Sequence, residues 1–132
     1  MNRSFLAALG AALSLSATAE EPVRYLCVED LASGVSYNED AQRWEQENNF
    51  RGGHRFLIKP LSGNAAGQYG VFVYGRNVPP IAMCADGFSD DGVLLCEGSQ
   101  RFVFSLNDGR YQRSYAPDDV QIIAVGSCEE TR

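Results

Sequence analysis

A chain of 132 residues with 17 acidic and 11 basic side chains has a formal charge of −6, and its single lysine, Lys59, leaves no basic run. That balance argues against nucleic acid or an anionic membrane as a partner, because both reward clustered Lys and Arg. Four cysteines in so short a chain point instead to a small, cross-linked, exported domain.

The chain begins with Met1-Asn2-Arg3-Ser4, continues through an apolar, helix-prone run over 5–15, and then reaches Ala17-Thr18-Ala19. One positive charge, an apolar run and small residues at a cleavage site form a secretory signal. The run is short of the roughly 20 apolar residues that a spanning helix needs. Cleavage after Ala19 is therefore expected, with 1–19 as signal peptide and 20–132 as one domain of 113 residues. The first cysteine, Cys27, does not directly follow that site and lacks small residues before it, so no lipid anchor is expected. Without Arg3 the product has ten basic against 17 acidic residues, a net charge of −7. It should be periplasmic or secreted, with no membrane insertion after cleavage, and large enough for one modest core.

Beyond the signal, short apolar or alternating runs occupy 23–28, 34–37, 43–45, 55–58, 69–74, 81–84, 93–96, 101–106, 110–115 and 120–125. Residues that favour turns separate them, among them Asn38-Glu39-Asp40, Ser62-Gly63-Asn64, Asp90-Asp91-Gly92 and Asn107-Asp108-Gly109. No clear helical periodicity extends over ten residues. The pattern predicts an all-β domain, a small antiparallel barrel or sandwich of roughly eight to ten short strands. The plainest hairpin runs from Phe102 to Leu106 through Asn107-Asp108-Gly109 into Arg110 to Tyr115, and Phe102, Phe104 and Leu106 mark one face of it as core. A weak internal echo relates Cys27, Ser36 and Asn38 to Cys96, Ser105 and Asn107, and predicts two related hairpins, each entered from a cysteine-bearing strand.

Cys27, Cys84, Cys96 and Cys128 contain no C-x-x-C pair, so two disulfides are expected and no metal site. Of three possible pairings, Cys84–Cys96 is favoured because it clamps a local turn, and Cys27–Cys128 because it ties the chain ends. The chain-entropy argument credits the longer loop with roughly 4 to 5 kcal/mol.

From Cys27 through Gly34-Val35-Ser36-Tyr37-Asn38 to Arg43-Trp44 and Phe50, the chain resembles a group of small exported alphaproteobacterial proteins of unknown function. That resemblance implies export and the cysteine framework, and no activity. Tyr25-Leu26-Cys27 and Cys128 also give a looser likeness to the inhibitors of C-type lysozyme, small β-barrels whose Ser-Gly-x-x-Tyr loop has only a stretched counterpart in Ser62-Gly63 and Tyr69. The Cys84–Cys96 pair departs from that family's pattern. A basic lysozyme meeting an acidic surface would associate faster at low salt.

No residue pattern commits to a reaction. His54, the only histidine, follows Arg51-Gly52-Gly53 in an expected loop with no oriented nucleophile or carboxylate in the local sequence. Paired carboxylates at Asp90-Asp91, Asp118-Asp119 and Glu129-Glu130 fall in turns or at the chain end. The acidic turn over 86–92 departs from a calcium loop at Phe88 and Asp91. The aromatic run Tyr69-Gly70-Val71-Phe72-Val73-Tyr74 places Phe72 and Tyr74 on one strand face with Gly70. These features predict a non-enzymatic binding or interaction protein without cofactor, its partner a protein or a cell-envelope component. Tyr69, Phe72, Tyr74, Arg51 and His54 are the first candidates for contact. An inhibitor of a C-type lysozyme-like enzyme and an envelope structural protein are the alternatives.

Overall fold

Alternation of apolar and polar residues asks for strands with one face buried, and nearly every alternating run becomes one. The computed structural model describes residues 23–47, 52–61 and 68–131. The expected signal at 1–19, Arg51 and Ser62-Gly63-Asn64 lie outside the described residues. Nine strands are present: β1 Arg24–Asn38, β2 Arg43–Glu47, β3 Arg55–Pro60, β4 Tyr69–Val73, β5 Ala82–Cys84, β6 Val93–Gly98, β7 Arg101–Ser105, β8 Arg110–Tyr115 and β9 Val120–Thr131. The described residues contain no helix.

Every pairing is antiparallel, and β1 meets β9 to close β1 and β3 through β9 into an eight-stranded barrel, with β2 as one extra strand. The fold is thus a barrel and not a sandwich. Closure falls to its two longest strands, β1 with 15 residues and β9 with 12. Along one edge β1 pairs with β9 from Arg24 to Ser36. Along the other it pairs first with β3, Tyr25 to Val28, and later with β2, Gly34 to Asn38.

The runs at 23–28 and 34–37 therefore belong to one strand, which is why ten runs yield nine strands. The segment Glu29-Asp30-Leu31-Ala32-Ser33 between them has no Gly or Pro to turn the chain. It adds one unpaired residue, and the register with β9 slips between Glu29 and Leu31 as a β-bulge.

Phe56, Ile58, Val71, Leu94, Phe102, Phe104 and Tyr111 fill the barrel. Burying each large apolar side chain is worth about 1.5 to 3 kcal/mol. The β7–β8 hairpin turns through Gly109, whose φ of 71° suits glycine, and the Gly109 N–H donates to the Ser105 carbonyl at 2.9 Å. Phe102 and Phe104 are buried as the alternation predicts, whereas Leu106 lies beyond the end of β7 and is exposed. The acidic turn over 86–92 carries an apolar plug: Phe88 bridges to Leu94, and its ring packs edge-on against Tyr69, Tyr25 and Phe104.

Both favoured disulfides are present, and no free cysteine is found among the described residues. Cys27–Cys128 staples the β1–β9 seam across a sequence separation of 101, and Cys84–Cys96 joins β5 to β6. Two disulfides are consistent with an oxidising location. The two echoing hairpins are built differently. Cys27 sits in β1, which itself turns into β2, while Cys96 sits in β6, one strand before the β7–β8 hairpin.

Candidate functional site

Before the bulge, alternation along β1 sends Tyr25, Cys27 and Glu29 into the barrel. A lone carboxylate there would cost several kcal/mol, and Glu29 is buried. Arg113, buried on β8, meets it: Nη2 donates to Glu29 Oε1 at 2.6 Å, and Nη1 donates to Gln100 Oε1 at 2.7 Å. The guanidinium also lies 5.2 Å from the centre of the Phe56 ring. His54 Nδ1 reaches Glu29 Oε2 at 2.7 Å, so both carboxylate oxygens are engaged. The main chain repeats the link, since the Glu29 N–H donates to the His54 carbonyl at 2.9 Å and the Gly53 N–H to the Glu29 carbonyl at 3.0 Å. The cluster fastens the segment before β3 to β1, where it continues the β1–β3 ladder.

Tyr111 lies beside this cluster. Its ring stacks on Phe102, with centroids 4.6 Å apart and 9° between planes, and covers Gly126 on β9. A Cβ at Gly126 would sit 2.6 Å from that ring and would also strike the Val28 carbonyl, so only glycine fits. Among the described residues neither the Tyr111 hydroxyl nor Arg113 Nε finds a hydrogen-bond partner. Burial first, and then the Glu29 charge, push the phenol well above its ordinary value.

Past the bulge the faces exchange. Ala32, opposite buried Ala124, continues the barrel's inner side, so Leu31, Ser33, Val35 and Tyr37 turn outward. Leu31 pairs with Val125, Ser33 with Ile123, and Tyr37 with Trp44 of β2. Outside the barrel, apolar side chains consequently run from Trp44 and Tyr37 through Val35 to Ile123, Leu31 and Val125. Leu31 is 65% exposed, Ile123 54%, Trp44 48% and Val125 41%, values that belong to a surface and not to a core. The reverse face of the β1–β2 hairpin is polar. Asn38 Nδ2 and Arg43 Nε donate to Glu45 at 3.2 and 3.1 Å, and Ser36 Oγ donates to Glu47 Oε2 at 3.3 Å. The Asn38 bond first, and then Arg43, hold the Glu45 carboxyl below its ordinary range.

At the tip of this extension two acidic turns meet, where the Tyr37 N–H donates to the Asp119 carbonyl at 2.8 Å. Glu39, Asp40, Asp118 and Asp119 are all exposed there. An apolar face thus ends in an acidic rim.

The residues expected to make contact are dispersed. Phe72 and Tyr74 share the outer side of β4 and its end; Lys59 Nζ lies 4.4 Å from the Phe72 ring centre and the Arg55 guanidinium 4.8 Å from that of Tyr74. Tyr69 points the opposite way, its ring 5.4 Å from Phe88. His54 belongs to the Glu29 cluster, and its carboxylate partner comes from 25 residues away, out of reach of any local motif. Sequence reasoning missed Glu29, Arg113 and Gln100, as well as the outward Leu31, Ile123 and Val125. A usable signal was the odd-numbered series Tyr25, Cys27, Glu29, Leu31, Ser33, Val35 and Tyr37, in which Glu29 is the one charged residue of a mostly apolar stripe. No protein-family model, curated protein or solved structure matches the chain.

Proposed function

We propose that this is an exported, non-enzymatic interaction protein that holds a protein partner against the apolar face of β2, β1 and β9. The observation that carries this is the exchange of faces at the bulge. It turns Leu31 outward beside Ile123 and Val125, which the unbroken alternation of β9 already places outside, and Trp44 stands on the same side opposite Tyr37. Contiguous exposed apolar surface is costly in a monomer and is typical of contact sites. The Glu29 cluster is read as scaffolding, because the Glu29 and Arg113 charges are spent on one another.

Capture from a periplasmic extract with immobilised protein tests the proposal. Wild type should retain one discrete partner, and a variant combining Leu31→Ser and Ile123→Ser should lose it while keeping both disulfides. Equal recovery by the two proteins would refute the face, and bulk co-purification with envelope material would favour a structural component.

The acidic rim beside Trp44 favours a second, narrower possibility, inhibition of a basic enzyme of the C-type lysozyme kind. Undiminished lysis with the protein in micromolar excess would remove it.

A further inference from the structure

Among the described residues β2 is the one strand with a hydrogen-bonded neighbour on a single side, since β1 and β3 through β9 close on themselves. Such an edge offers a row of backbone donors and acceptors to any extended chain that comes alongside. Its side chains decide which chain that is. On the outward face Trp44, with its ring 5.4 Å from Tyr37, continues the apolar surface. On the reverse face Arg43, Glu45 and Glu47 alternate with it, two carboxylates to one guanidinium. An incoming strand alternates its own side chains between the same two faces.

The geometry points to β2 as the receiving edge for an extended strand of a partner protein in which apolar and basic residues alternate. The inference rests on the interaction function proposed above and names the chemistry of the partner. Apolar side chains of the added strand lie beside Trp44, and its Lys or Arg side chains lie beside Glu45 and Glu47. The acidic turns at Glu39, Asp40, Asp118 and Asp119 stand at the same end and attract the same basic residues during approach.

A second copy of this chain suits the edge poorly. Antiparallel pairing of β2 with itself about Glu45 faces each Arg43 with the copy's Glu47 but sets the two Glu45 carboxylates opposite one another, a like-charge contact that an added strand with a basic residue there avoids. Two copies also each carry a net charge of −6. Charged residues on an edge strand are a common guard against self-pairing, and they leave room for a partner of opposite sign.

The test uses the oxidised full-length protein and two synthetic eight-residue peptides, one alternating valine with lysine and one alternating valine with glutamate. Trp44 is the only tryptophan, so its emission reports directly on the edge. The valine–lysine peptide should shift that emission to shorter wavelength with saturation and slow amide exchange in β2 roughly tenfold or more. The valine–glutamate peptide should do neither, and a variant combining Glu45→Lys and Glu47→Lys should reverse the preference. Equal responses to both peptides, or an emission shift without slower exchange in β2, would overturn strand addition. If β2 exchange is unaffected while partner capture still depends on Leu31 and Ile123, the edge inference alone is wrong. If capture is also independent of them, the interaction function falls with it.

Discussion

The two halves of β1 follow one rule of alternation and reach opposite results, while β9 beside them alternates without a break. On the barrel side of the bulge, Cys27 opposes Cys128 inside a closed interior. On the far side, Leu31 opposes Val125 in the open, although the apolar spacing in β1 has not changed. One extra residue moves every following side chain to the other face. The composition of a strand says that it has an apolar side, and the pairing register says where that side looks.

If that contrast is sound, mutations on the closed side should cost much and mutations on the open side little. The largest loss should come from opening the seam: replacing Cys27 and Cys128 together with alanine should cost about 4 to 5 kcal/mol, and the same change at Cys84 and Cys96 nearer 3 kcal/mol, read from urea denaturation. Equal losses would mean that loop length is not what the seam disulfide restrains.

Next comes the buried ion pair. Arg113→Met should cost about 3 to 5 kcal/mol, because it takes the guanidinium from the buried Glu29 carboxylate and leaves it only the His54 contact. Adding Glu29→Gln should restore part of that loss, and a double-mutant cycle measures the difference.

Tyr111→Phe should be neutral or slightly stabilising at neutral pH, since the hydroxyl it removes has no hydrogen-bond partner among the described residues. Its pH dependence has a definite sign. The phenol is held above its ordinary value of 10.0 in the folded protein. Above that pH the unfolded chain ionises first, so stability falls as pH rises. Thermal unfolding should show that alkaline decline in the wild type and a shallower one in Tyr111→Phe.

The smallest effect is the sharpest break with composition. Leu31→Ser and Ile123→Ser remove large aliphatic side chains, yet each should change stability by no more than about 0.5 kcal/mol, as at ordinary surface sites. A loss near the 2 to 5 kcal/mol typical of truncating a buried Leu or Ile would show that this face is covered in solution.

Much of the scaffold could be read from local pattern. The hairpin through Gly109 was legible because turn residues and alternation act over a few neighbours. The disulfide partners were legible because four cysteines allow few pairings and an oxidising compartment favours closing them. The Glu29 cluster was not legible, as Arg113 stands 84 residues away and nothing near either residue records the other. The aromatic run at 69–74 drew attention because its rings are adjacent in sequence, yet strand alternation sends Tyr69 inward and Tyr74 outward.

From the amino-acid order alone came the β character, most of the strand positions and the turns, which depend on short-range periodicity and backbone preference, and the cysteine pairing, which depends on there being only three ways to join four cysteines. Only the tertiary structure decided that β1 meets β9 to make a barrel, that Asp30 is accommodated as a bulge and not as a turn, and that Leu31 is thereby brought to the outer surface beside Ile123, with Trp44 on the same side. Pairing between distant strands sets register, and register assigns each side chain to the interior or to solvent.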